Sequence, residues 1–421
     1  MDIKQYILIL YYKKYIWLIF FTLIATLIID TLRYLGVVRS LGFEYSTYIS
    51  ALLMYTSLAI IAFVAFKTSL YNESSAAKDI FILWLFWNIF NIIRGAFLAG
   101  DYWEWKFLLF TSVGFSLITI VFLVGNNLLF ARGILNFYLK WVFTFGFLAI
   151  PLSLVTNDQL YSRLMIPIGI FILFIPYLQY KWKILIIIVA ITSILLVIDF
   201  RTNIIKIVFS GLLLFLFYFK NLISQSWVRL AHFVLFFSPI VFFALAAFGS
   251  FSLFSELSTK NEYIVTDSQG DEENFTNDTR TFLYEEVMQS MNNTTEWLIG
   301  KSASGSYSSQ WFYNTGGAME GKRFRSEVNI LNILLYHGIV GVIIYFLLLY
   351  RVSFLAIQNS NNILSKMLGL VIASRWMLSF IEEYTQYDLN FFFFWLIMGL
   401  VSTAAFRKLN DEEVQSFFKF S

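Results

Sequence analysis

Val328-Asn-Ile-Leu-Asn-Ile-Leu-Leu-Tyr-His-Gly-Ile-Val-Gly-Val-Ile-Ile-Tyr-Phe-Leu-Leu-Leu-Tyr350 contains no Asp, Glu, Lys or Arg. A membrane-spanning helix needs about 20 consecutive, mostly apolar residues. This stretch meets that need, and the rest of the chain repeats its character. Of 421 residues, 59% are hydrophobic and only 14% are charged. Mean hydropathy is +0.71. A soluble domain is about half apolar and about a quarter charged, so the composition is that of a membrane protein. The 48 phenylalanines supply bulky apolar surface suited to lipid contact.

Working outward from Val328–Tyr350, the hydrophobic runs predict about twelve spans: Tyr15–Leu35, Thr47–Phe66, Ile80–Leu98, Phe107–Val124, Leu135–Val155, Leu164–Tyr180, Ile184–Ile198, Thr202–Phe219, Val228–Phe248, Val328–Tyr350, Ile363–Ile381 and Leu389–Phe406. Lysine and arginine counts in short loops set orientation. Lys13, Lys14, Lys67, Lys78, Arg132, Lys181, Lys183, Arg351, Arg407 and Lys408 fall on one side, read as the inside. Asp101, Glu104, Asp158, Glu382, Glu383 and Asp388 fall on the other. The reading is an all-α integral membrane protein with both termini cytoplasmic. Trp103 and Trp105 mark the outer interface, and Trp182 and Trp227 the inner one.

The chain divides into nine spans over 1–248, a large outer loop over 249–326, and three spans with a cytoplasmic tail over 327–421. A loop of that length is functional or unstructured. Asp278-Thr-Arg-Thr281 is expected to open a short amphipathic helix, with Phe282, Val287, Met288 and Met291 on its apolar face. Trp297-Leu-Ile-Gly300 reads as its packed end, and Gly305 and Gly316-Gly317 as turns.

Several chemistries are excluded. The chain has no cysteine, so disulfides, thiolate metal sites and cysteine nucleophiles are absent. A net charge of +3 without basic runs gives no footprint for nucleic acid. Neither His232 nor His337 sits in a hydrolytic triad pattern, and no HExxH, Walker or dinucleotide motif occurs. Asp271-Glu-Glu273 reads as a solvated acidic run.

The remaining candidates are charges near the outer face. Arg33, Arg94, Arg201 and Arg375 lie at outer span ends, and Arg280, Arg323 and Arg325 lie in the outer loop. Such arginines snorkel or pair with nearby acids, or they bind phosphate oxygens, which a guanidinium does bidentately. Glu327 opens the tenth span, where an acid also satisfies the helix dipole. If buried, it could serve as a general base. The Glu382-Glu383 pair reads as a solvated helix end.

Two segments together carry a resemblance. One is Asp199-Phe-Arg-Thr-Asn203 with its following span. The other runs from Asp278-Thr-Arg-Thr281 through Trp297-Leu-Ile-Gly300 to Ser326–Gly341, ending in Gly338-Ile-Val-Gly341. In order and topological side they resemble the O-antigen polymerase and ligase superfamily over about 199–350. The resemblance implies a glycosyltransferase of the bacterial inner membrane acting at its periplasmic face. It joins polyprenyl-pyrophosphate-linked repeat units, with polyprenyl pyrophosphate as leaving group. It implies Arg201 and Arg280 on that leaving group and Glu327 as base. Arg33, Arg94, Arg323, Arg325 and Arg375 would bind substrate. The resemblance implies no cofactor or metal, and it implies a chain-length regulator as a further membrane partner. Ligases of the superfamily carry a histidine where this chain has Glu327, which favours polymerisation over ligation. A lipid-linked oligosaccharide flippase is the alternative from another class.

Overall fold

The computed structural model describes residues 3–32, 46–69, 77–156, 160–196, 201–219, 224–247, 264–266, 272–274, 281–309, 321–383 and 386–419. The long helices are α1 (Ile3–Leu32), α2 (Ser46–Ser69), α3 (Lys78–Leu98), α4 (Tyr102–Gly125), α5 (Leu128–Pro151), α6 (Leu160–Ile172), α7 (Tyr180–Leu196), α8 (Arg201–Tyr218) and α9 (Gln225–Ala247). Two short helices follow in the outer loop, α10 (Thr281–Gln289) and α11 (Thr294–Ile299). The chain ends with α12 (Asn329–Gln358), α13 (Ile363–Leu378), α14 (Leu389–Ser402), α15 (Ala404–Lys408) and α16 (Asp411–Phe417). The described part of each predicted span is largely helical. Among the described residues, five helices are long and apolar enough to cross a membrane: Thr47–Thr68, α3, α4, α5 and α12.

On α3 amide side chains lie on the buried face while bulky apolar ones lie on the exposed face, unlike a helix of a water-soluble bundle. The buried face of α3 carries Phe81, Trp84, Asn88, Asn91 and Gly95, at alternating three- and four-residue spacing. Its exposed face carries Ile82, Phe86, Ile93 and Phe97. Asparagines inside and phenylalanines outside are what a lipid solvent selects, because lipid accepts apolar side chains and leaves polar ones to bond across helices.

At the centre stands α14, all of whose 14 residues are buried. Fourteen residues rise only about 21 Å, short of the roughly 30 Å hydrocarbon core. The expected last span, Leu389–Phe406, in fact breaks at Thr403, whose hydroxyl caps α15 by accepting from Phe406 N. Glycines let α14 approach the end of α4. A Cβ on Gly399 would stand 2.1 Å from Phe122 O, and one on Gly125 would stand 2.2 Å from Leu396 O. This is a close small-residue crossing, in which packing substitutes for a hydrophobic drive.

Other departures have local causes. The predicted Leu164–Tyr180 span is broken: α6 is interrupted at Pro167, and Pro176 lies in a short 3-10 turn at Ile175–Tyr177. The tenth span is longer than expected, reaching Gln358, and kinks at Gly338, where φ is 65°. In α10 the buried positions are Leu283 and Val287, followed by Met291, while Met288 is only half-buried. Phe282, also expected on that face, has a side chain outside the described residues.

Two small hairpins lie in the outer loop. β1 (Ile264–Thr266) pairs with β2 (Glu272–Asn274), and β3 (Tyr307–Ser308) pairs antiparallel with β4 (Lys322–Arg323), with Tyr307 opposite Arg323.

Helix ends that the sequence assigns outside touch one another. Ser50 donates to Asp30, Tyr284 to Phe380 O, and Lys322 to Asp101 and Glu104. Ends assigned inside do the same. Arg407 donates to Asn359 O, Asp411 accepts from Ile363 N, and Arg132 stacks over Phe417.

Candidate functional site

The outer loop is sewn into the bundle before it reaches the site. Gly300 caps α11 with φ of 75°, a conformation that favours glycine. The kink at Gly338 frees carbonyls of α12, and Lys301 N donates to Leu335 O at 2.7 Å. Trp87 Nε1 donates to His337 O, and the His337 ring bonds Asn91. His337 is thus a buried structural residue between α3 and α12.

Arg94 belongs to the same seam. Its guanidinium donates to Asn91 Oδ1 and Ile299 O, both at 2.7 Å, and to Gly300 O at 3.0 Å. The expectation was substrate binding, but the fork is spent on protein carbonyls. A helix C-terminus presents such carbonyls without partners of its own, and a planar five-donor group suits them.

The main cavity, of about 620 Å³, opens among the ends of α1, α2, α4, α6, α8, α13 and α14 that the sequence assigns to the outside. Binding sites commonly span about 300–1,000 Å³. Its cationic lining is Lys106, Arg163 and Arg325, and its acids are Asp30, Glu382, Glu383 and Asp388. Asn203, Gln386 and Asn390 add polar groups, with Trp103, Phe107 and Phe110 as aromatic wall.

Chain geometry explains how the acids persist there. Arg325 grips Glu383 through Nε at 2.6 Å and through Nη2 at 2.5 Å. Asn332 also donates to Glu383 at 3.2 Å. Burial raises the Glu383 carboxyl above its ordinary value, and Arg325 opposes the rise. Glu382 pairs with Lys206, which is buried on α8 and also donates to Asn203. Asp388 caps α14 by accepting from Phe391 N at 2.7 Å. Burial pushes its carboxyl up to about 6, against the pull of that hydrogen bond and of Lys206, Arg375 and Arg325.

The sequence-predicted residues divide around this cavity. Arg325 lines it directly. Arg375 is buried behind it and donates to Asn390, which lines it. Glu327 lies outside it: its side chain is 59% exposed and pairs with Arg323 at 3.0 Å, four residues back. The burial that would have made it a base is therefore missing, and Arg323 is engaged beside it. Arg33 and Arg280 lie outside the described residues, and Arg201 is described only as the first residue of α8.

Sequence reasoning missed Lys206, Arg163, Lys106, Asp388 and the true standing of Glu382-Glu383. Lys206 carried a signal, being a lysine within an apolar span, which demands a partner. Asp388 carried one as a helix-capping residue type directly before the apolar run that opens at Leu389. Comparison finds no matching family model, no matching curated protein and no matching solved structure.

Proposed function

We propose that the protein joins lipid-linked oligosaccharide units at the outer face of a bacterial inner membrane, with polyprenyl pyrophosphate as leaving group. The sequence resemblance suggests this chemistry. The single observation that supports it in the fold is the cavity holding Arg325, Arg163 and Lys106 together with Asp388. Cationic side chains at headgroup depth would receive charge developing on a departing diphosphate, the form of stabilisation that contributes most to such transfers. A carboxylate poised near neutral pH would take the proton from the attacking sugar hydroxyl.

In this reading Asp388 is the base in place of Glu327. The hydroxyl oxygen of the acceptor forms a bond to the anomeric carbon of the donor. The bond from that carbon to the diphosphate oxygen breaks, and the hydroxyl proton passes to Asp388. Arg325 is held by Glu383, so its fork has a fixed orientation before substrate arrives.

The test is conversion of single lipid-linked units to a ladder by purified protein in liposomes, without ATP or nucleotide sugar. Asp388→Asn keeps the helix cap, since asparagine caps as well as aspartate. It is expected to abolish the ladder while expression and folding persist. Arg325→Ala is expected to do the same. Normal ladders from both variants would reject the assignment. Units that cross the bilayer without joining would favour a flippase.

A further inference from the structure

A second cavity, of about 490 Å³, lies on the outside of the bundle between the start of α2 and the start of α4. It shares Thr47, Lys106 and Phe110 with the main cavity, so the two lie side by side with these side chains between them. Its own wall adds Tyr48, Tyr102 and Leu109, which are largely exposed, as side chains facing lipid are.

Where the two spaces meet, Tyr48 and Phe110 stand edge to face across the helices, with ring centroids 5.5 Å apart. The α4 wall is not regular helix there. Leu108–Ser112 is a π-helical turn, a distortion concentrated at functional sites. Tyr55 on α2 donates to Leu109 O at 2.6 Å below the groove, and Ser112 donates to Ala303 O in the outer loop on the other side. The turn is thus held from both sides. Lys106 stands at the junction, over the rings of Tyr102 and Trp103.

We infer that this groove carries the isoprenoid chain of the lipid whose diphosphate occupies the main cavity, and that Tyr48 and Phe110 form the gate through which that lipid passes. The inference rests on the reading of the main cavity as a diphosphate site. The occupant follows from the adjacency of the two spaces across Lys106 and Phe110. A molecule lying in both spaces must have a polar anionic head beside Lys106 and an apolar tail along exposed aromatic and aliphatic side chains. Phospholipid would meet the outer wall alone, and a soluble sugar phosphate would have no use for the groove.

The chain contains no cysteine, so Tyr48→Cys with Phe110→Cys gives one addressable pair. A short bis-methanethiosulfonate would join the pair, and a thiol reductant would release it. The probe is a polyprenyl diphosphate carrying a diazirine in its isoprenoid chain. Label is expected on peptides covering 46–55 and 102–112, lost when unlabelled polyprenyl diphosphate competes, lost on cross-linking and restored on reduction. Reversal by reductant separates a closed gate from misfolding. Inorganic pyrophosphate is expected to raise the unfolding temperature of open and cross-linked protein alike.

If a diazirine phospholipid labels the same peptides equally and no competition occurs, the groove holds annular lipid only and the inference is overturned, while pyrophosphate stabilisation still supports the cavity reading. Competed label found elsewhere likewise overturns it. If pyrophosphate has no effect and no label is competed, the cavity reading itself falls.

Discussion

Gly300 and Gly338 meet backbone to backbone, a Cβ on Gly338 lying 2.5 Å from Gly300 N. A Cβ on Gly300 would in turn lie 2.5 Å from His337 N. Both residues have φ between 65° and 75°. The outer loop and the kinked helix α12 are therefore joined at a point where neither can carry a side chain.

Gly338→Ala should accordingly destabilise the protein. A backbone with φ of 65° and ψ of −171° is essentially reserved for glycine and costs about 1–3 kcal/mol for a residue with a Cβ, and the contact with Leu298 and Gly300 adds to it. Gly211→Ala on α8 is the control, since nothing lies within 4 Å of its added Cβ. Thermal unfolding in detergent should show a clear drop for the first and none for the second. Equal midpoints would remove the seam as a structural constraint.

Arg94→Ala should loosen the same seam, because three oxygens lose their donor. Arg94→Lys should rescue little, because an ammonium cannot reproduce a planar fork across two successive carbonyls. Limited proteolysis of the 294–305 segment should accelerate in both variants. A lysine variant as resistant as the parent protein would show that charge, rather than geometry, is what matters there.

Asp388 gives a pH dependence with a definite sign. Its carboxyl is raised from an ordinary 3.8 to about 6. The folded protein then binds the proton more tightly than the unfolded chain. The resulting stabilisation is complete below about 3.8 and is lost as pH rises to about 6. Turnover should run the opposite way, because a base acts only when ionised, so the ladder-forming rate should climb through pH 6. Asp388→Asn should flatten the stability change over that window. A wild-type rate that is level from pH 5 to pH 8 would remove Asp388 as the base.

The buried pair of Lys206 and Glu382 should behave unlike the surface cluster of Lys322, Asp101 and Glu104. Lys206→Met leaves a half-buried carboxylate without its cation and should cost several kcal/mol, about 3–5 by analogy with broken buried pairs. Lys206→Met with Glu382→Gln should recover much of that loss. Lys322→Ala removes a cation whose side chain is 40% exposed and should cost at most about 1 kcal/mol, less at high salt. Denaturation midpoints of the four proteins, measured at two salt concentrations, would test the ranking.

Much of the secondary structure is legible in the sequence alone. The run from Val328 to Tyr350 needs no tertiary information to be read as a helix in an apolar solvent, since an unpaired backbone in lipid is prohibitively costly. Lysine and arginine counts assign each loop a side, and the described contacts among helix ends join ends assigned to the same side. Apolar packing and backbone satisfaction are local properties, so the chain carries them in plain view.

The site was not local, and only the tertiary structure assembled it. Arg325 and Glu383 are 58 residues apart, and Lys206 and Glu382 are 176 apart, yet each pair is in contact. Spacing along the chain cannot reveal which acid a given arginine meets. Glu327 opens a span and so reads as a candidate base, but its side chain is turned to the exterior, whereas Asp388 at the start of α14 lines the cavity. Sequence determined the medium in which this protein folds, because every helix must satisfy that medium by itself. The fold decided which charges share a cavity, because that depends on how helices distant in sequence cross one another.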